Sequence, residues 1–150
     1  MSNIKIIEKV EDQMGDSLSI SLPNKPEYVS VVRLTTSAIA SRIGFNVEEI
    51  EDIKVAVAEA CTNAITHSNC SQNENFNILF AVDEQKIVIE VQDQGTGFYC
   101  EAVEEPDLTS PKEGGLGIFI IKSLMDEVEV ESNIGKGTTI KMTKYLGDDI

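Results

Sequence analysis

Glu59-Ala-Cys-Thr-Asn63 decides the reading of this chain, because it sets a carboxylate and an amide four residues apart inside an apolar helical pattern. About thirty residues later comes Asp93-Gln-Gly95-Thr-Gly97, and beyond it Gly114-Gly115-Leu116-Gly117 before an apolar run. A carboxylate and amide on one helix, a carboxylate leading into a glycine loop, and glycines opening another helix are the parts needed to hold Mg-ATP without a P-loop. The P-loop itself is absent. Gly135-Lys136 is followed by Gly137, and position 130 is Val130, so G-x-x-x-x-G-K-[ST] fails.

The pattern around these segments predicts their setting. Ile4 and Ile6, then Leu18, Ile20 and Leu22, alternate with polar residues and predict a first strand or hairpin that Pro23 ends. Pro26 suits the first position of a helix whose apolar residues Tyr28, Val32, Ile39 and Ile43 recur at helical spacing, and Gly44 stops it. Asn46 with Glu49 forms a capping-box variant for a second helix. Its apolar stripe runs through Val47, Ile50, Val57, Cys61 and Ala64 to about His67. Strands are expected over 76–82 and 87–92, the second running straight into Asp93. The acidic stretch 98–113, with Pro106 and Pro111, has no period and reads as a surface loop or lid. A short helix over 118–126 and a hairpin of 128–131 with 138–145 complete the chain. The expected architecture is α/β: a two-layer sandwich, with a mixed, mostly antiparallel sheet and helices packed on one face.

With 150 residues and 16.4 kDa the chain has the size of one domain, spanning 1–150, with a sizeable core. Lys and Arg total 12 against 26 Asp and Glu, a formal charge of -14, which argues against direct nucleic-acid binding. The same charge opposes an anionic nucleotide, so binding would rest on a cation and backbone N–H donors. Cys61, Cys70 and Cys100 form no C-x-x-C, which fits a reduced cytoplasmic thiol set. No signal-peptide core and no membrane-spanning run is legible, so a cytoplasmic protein is expected.

On a helical wheel Glu59 and Asn63 lie about 40° apart, away from the stripe of Ile50, Val57 and Ala64. Read as chemistry, Asn63 offers one oxygen to Mg while Glu59 orients or deprotonates an attacking hydroxyl. Read blandly, the pair is a solvated helix face. Asp93 at a strand end can accept from an exocyclic amino group, which selects adenine, though Asp-x-Gly-x-Gly is also a tight turn. Gly114 to Gly117 offers unhindered N–H groups at a helix start, or simply a flexible entry. His67, the only histidine, reads as a phosphoacceptor or, more simply, as a helix C-terminal residue.

The motifs in order, Glu-Ala-Cys-Thr-Asn-Ala over 59–64, Asp-Gln-Gly-Thr-Gly over 93–97, Gly-Gly-Leu-Gly-Ile over 114–118 and Gly-Lys-Gly-Thr-Thr over 135–139, resemble the histidine-kinase-like ATPases, the GHKL group with the Bergerat fold. Pro26-Glu-Tyr28-Val, Arg33-Leu-Thr, the run 50–64, Leu124-Met-Asp-Glu-Val128 and Met142-Thr-Lys-Tyr145-Leu are similar to the anti-sigma-factor serine kinases of the RsbW type. That resemblance covers nearly the whole chain. It implies ATP and Mg as cofactors, Glu59 as catalytic base, Asn63 as Mg ligand, Asp93 as adenine reader and Gly95 with Gly97 shaping the base pocket. By the same resemblance Thr138 supports the adenine end, and Thr109, Ser110 and Lys112 are lid positions that approach phosphates. Gly115, Leu116 and Gly117 would wrap the phosphate tail. Arg33 would lie on a surface used by partners and the dimer. The implied protein is a homodimeric anti-sigma factor that phosphorylates a serine of an anti-anti-sigma factor and sequesters an alternative, stress-response sigma factor.

Two rivals remain open at this point. A binding module could use ATP only as a conformational ligand, but it has no need of a base at Glu59. A sensor histidine kinase catalytic domain is expected to follow a phosphoacceptor helix pair, which these residues do not show.

Overall fold

The computed structural model describes residues 15–67, 75–93, 112–133 and 137–147. The first strand, β1 (Asp16–Pro23), leads through a single 3-10 turn at Pro26–Tyr28 into helix α1 (Val29–Ile43). Gly44 closes α1 with φ 117°, a left-handed conformation that a side chain disfavours, and its N–H reaches Ala40 and Ser41 carbonyls. Helix α2 (Val47–His67) starts at the expected capping box. Glu49 N–H donates to Asn46 Oδ1 at 2.7 Å, and Asn46 N–H donates to Glu49 Oε1 at 2.9 Å.

Strands β2 (Asn75–Val82) and β3 (Lys86–Asp93) are joined by a turn whose Asp83 Oδ1 accepts from the N–H groups of Gln85 and Lys86. Helix α3 (Lys112–Leu124), β4 (Glu127–Asn133) and β5 (Gly137–Tyr145) follow. The five-stranded sheet has the order β1-β2-β3-β5-β4, and every pairing among the described strands is antiparallel. Ile4 and Ile6 of the first expected strand, and most of the lid, lie outside the described residues.

Alternation sorts the sheet into two faces. Leu22, Phe76, Ile78, Phe80, Ile87, Ile89, Val91, Ile140 and Met142 point to one side and join Val32, Ala40, Ile53, Val57, Cys61 and Ile121 of the helices in a single core. The opposite face carries Ser19, Asn77, Glu90 and Gln92, with Lys141 paired across the sheet to both Glu90 and Glu129. The expected two-layer sandwich, with helices on one face, is what forms. Thr36, buried on α1, satisfies its hydroxyl by donating to the Val32 carbonyl at 2.7 Å.

Two local expectations need correction. Val47, the first residue of α2, is 76% exposed rather than part of the buried stripe; Phe45 just before the helix and Ile53, Ala56 and Ala60 within it fill the core instead. Helix α3 begins at Lys112, not at 118, so the glycines sit inside its first two turns. Cys61 is fully buried in α2, and loss of hydration pushes its thiol from 9.0 up to about 12. The fold therefore favours the protonated thiol. That contribution is fully present below pH 9 and disappears as pH rises through about 12. With Cys70 and Cys100 replaced by serine, a disulfide reagent at pH 8 should label Cys61 only as fast as the protein unfolds in urea.

Candidate functional site

Helix α2 crosses the middle of the sheet and packs between α1 and α3, so one of its edges looks toward the end of β3 and another toward α3. On that side, Ala60 and Ala64 are small enough to leave a niche against the sheet. Ala60, Asn63 and Ala64 of α2, Val91 and Asp93 of β3, and Thr138 and Ile140 of β5 line it. Aliphatic Ala60, Ala64, Val91 and Ile140 stand there beside polar Asn63, Asp93 and Thr138. As it stands the niche is closed even to water, so its lining supplies the residue types, and not the volume, that a flat heteroaromatic ring with a polar edge requires.

Asp93 supplies that edge. It is only 5% exposed, and its Oδ1 accepts from the Thr138 N–H at 3.2 Å. A carboxylate has about four acceptor sites and can hold several donors at once. Thr138 follows Gly137, which holds φ at 88°. A side chain there would be strained by its backbone, and its Cβ would run into the Asp93 carbonyl and lie 2.8 Å from Oδ1. Gly137 thus lets β5 close over the end of β3. Gly137→Ala should destabilise the protein by roughly 1–3 kcal/mol in urea unfolding and weaken adenine-nucleotide binding in the same variant.

Glu59 and Asn63 both emerge half-buried from the same edge of α2, one turn apart. Asn63 borders the Asp93 niche, whereas Glu59 faces α3. The backbone of Gly117 comes so close that a Cβ built on it would stand 3.3 Å from Glu59 Oε1. No hydrogen bond or ion pair to Glu59 occurs among the described residues, so its carboxylate is available to a ligand. The structure therefore aligns Asp93, Asn63, Glu59 and Gly117 along one side of α2. A donor-reading carboxylate, an amide oxygen and an uncommitted carboxylate in that order suit a base, a cation and a reacting hydroxyl.

The remaining expected residues divide in two. Lys112 and Gly115 lie in the first turn of α3, Leu116 is 58% exposed on its outer side, and Arg33 is exposed on α1. Gly95, Gly97, Thr109 and Ser110 lie outside the described residues. The sequence reading did not find the niche walls Ala60, Ala64, Val91 and Ile140, nor the close approach at Gly137; the small residues at four-residue spacing on α2 were the available signal. A broader groove at the opposite end of the sheet, bordered by Leu18, Ile39, Arg42 and Asp83, brings none of these residues together.

Comparison with known proteins identifies the family. The histidine kinase-like ATPase domain profile matches residues 22–144. The serine-protein kinase RsbW of Bacillus velezensis is 41% identical, over 89% of this chain and 88% of its own length. That of Bacillus subtilis is 40% identical, over 90% and 89%, and that of Listeria monocytogenes 38%, over 90% of each. Among solved structures, the RsbU and RsbW domains of a Mycobacterium tuberculosis protein superpose with a TM-score of 0.67 at 21% identity, covering 87% of this chain and 32% of that one. The SiaB-SiaC complex of Pseudomonas aeruginosa gives 0.59 at 11% identity, covering 96% and 97%. These two likenesses concern the fold. The match along almost the full length, with the motif residues gathered on one edge of α2, places the chain in the histidine kinase-like ATPase family and, within it, among the RsbW-type serine-protein kinases.

Proposed function

We propose that this chain, as one domain, is a cytoplasmic anti-sigma factor that uses Mg-ATP to phosphorylate a serine of an anti-anti-sigma factor and that sequesters an alternative, stress-response sigma factor. The observation that carries this reading is the uncommitted Glu59 carboxylate beside Gly117, one helical turn from the Asp93 niche. In this reading Asp93 accepts the adenine amino group, Thr138 and the glycines Gly95 and Gly97 shape the base end, and Gly115, Leu116 and Gly117 follow the phosphates. Thr109, Ser110 and Lys112 approach the phosphates from the lid.

The residues present fit a single Mg ion held mainly by phosphate. Among the described residues no cluster of three or more His, Cys, Asp or Glu forms an all-protein metal site; Asn63 would offer one oxygen, and phosphates and water would complete the set. Bound Mg supplies neutralisation of phosphate charge, which a chain of formal charge -14 does not offer. The serine Oγ attacks the γ-phosphorus as its proton passes to Glu59. The bond from the γ-phosphorus to the β,γ-bridging oxygen breaks, and its electron pair leaves on ADP.

Partner contact is assigned to α1. Arg33 is exposed there between Val31 and Leu34, themselves 39% and 71% exposed, and it forms no ion pair among the described residues. An arginine set among uncovered aliphatic residues is the composition of an interface centre rather than of a solvated helix. The same surface would serve the homodimer. Among the described residues no helix is long and apolar enough to cross a membrane.

The chemistry of the product tests the class of enzyme. Incubation with γ-labelled ATP, Mg and the anti-anti-sigma factor, followed by acid, should leave acid-stable label on the partner alone, as a phosphoserine ester. Acid-labile label on this chain, lost in His67→Ala, would overturn the serine-kinase reading. Nucleotide binding without any label would leave a sequestering module.

A further inference from the structure

We infer that Gly117 is a positioning residue for the base: the absence of a side chain at this point of α3 sets where the Glu59 carboxylate stands. This inference rests on Glu59 acting as the base proposed above. It concerns a side-chain contact across two helices, separate from any hold that the Gly117 backbone has on phosphate.

Helices α2 and α3 pack against each other, and Gly117 lies on the contact side of α3. Among the described residues, a Cβ at 117 would have Glu59 Oε1 as its one neighbour within 4 Å, at 3.3 Å, short of ordinary van der Waals contact. No hydrogen bond or ion pair among the described residues fixes the carboxylate. Its direction is consequently open to packing, and Gly117 is one place where packing would reach it. Gly117 lies inside the helix and is not among the glycines with positive φ, so backbone conformation does not account for glycine here. Alanine is the better helix former at such a position. The one cost the structure identifies for a methyl group is displacement of the Glu59 carboxylate, the movable end of a flexible side chain.

The contact predicts an uncommon pairing of effects in Gly117→Ala. The Tm should be unchanged or higher and the ATP affinity, measured by calorimetry with Mg, within about twofold of the parent, because the main-chain N–H is retained. The kcat for transfer to the anti-anti-sigma factor should fall by roughly threefold to tenfold, since the contact moves the carboxylate by a few tenths of an ångström and a full ångström of misplacement costs about a hundredfold. Hydrolysis of Mg-ATP to inorganic phosphate, measured without partner, should fall in parallel.

A double-mutant cycle gives a readout that a general packing defect would not move. Adding Gly117→Ala to Glu59→Gln should cause no further loss, because no working base remains to be displaced. Adding it to Glu59→Asp, whose shorter side chain withdraws from the contact, should cost less than it does in the parent. Full transfer by Gly117→Ala alongside an inactive Glu59→Gln would leave the base in place and overturn the positioning role alone. An equal loss in the Glu59→Gln background would do the same. Full transfer by Glu59→Gln would remove both the base and this inference.

Discussion

Glu59→Gln should bind Mg-ATP with nearly the parent affinity and transfer phosphate at least roughly 10²-fold more slowly. The substitution keeps the shape of a side chain that stands half-buried and without a hydrogen-bond or ion-pair partner among the described residues, so folding has little to lose. It removes the group able to take the serine proton, and that group matters more in the transition state than in the ground state. A hundredfold loss corresponds to about 2.7 kcal/mol of activation free energy. The measurement pairs calorimetric titration of nucleotide with single-turnover transfer to the partner. Weakened ATP binding with an unchanged transfer rate would instead make Glu59 a ligand of the nucleotide.

That this residue could be singled out from the sequence reflects how much of the site is local. Glu59 and Asn63 share one helix, so their relative direction follows from 3.6-residue geometry once the helix is recognised. Asn46 and Glu49 announce that helix, and the reciprocal hydrogen bonds between them are present. Asp93 was legible because a strand pattern ran into it, and β3 does end there.

What escaped the sequence depends on how separate elements approach. The contact of Gly117 with Glu59 joins α3 to α2, and that of Gly137 with Asp93 joins β5 to β3; neither spacing along the chain implies a distance in space. Gly117 was read as an unhindered N–H or a flexible entry at a helix start, and Gly137 only as part of a motif, whereas Gly117 lies inside the helix. The start of α3 was misplaced for the same reason. Gly114 and Gly115 are poor helix formers, yet they are helical here, where α3 packs along α2. The misassignment of Val47 shows the reverse limit: a helical wheel gives direction around an axis but not which residues along it other elements cover.

The other large effect is expected at Asp93. Its carboxylate is nearly inaccessible at the end of β3, holds the Thr138 N–H at 3.2 Å and stands in a niche lined also by Asn63 and by the aliphatic Ala60, Ala64, Val91 and Ile140. An acceptor in that position complements the amino group of adenine and meets the carbonyl of guanine acceptor to acceptor, so ATP should bind far more tightly than GTP. Asp93→Ala removes the acceptor and also releases Thr138. A hydrogen bond to a charged group contributes about 1.5–3 kcal/mol, so ATP affinity should fall by roughly 10- to 150-fold. Asp93→Asn is the sharper variant. It nearly preserves volume, but it exchanges one acceptor oxygen for a donor amide, which should weaken ATP while bringing GTP closer to it. Calorimetry with both nucleotides, alongside Tm to confirm folding, gives the ratio directly. An Asp93→Asn protein that folds normally and keeps the parent preference would show that the base is read elsewhere, leaving Asp93 a structural role that includes its bond to the Thr138 N–H.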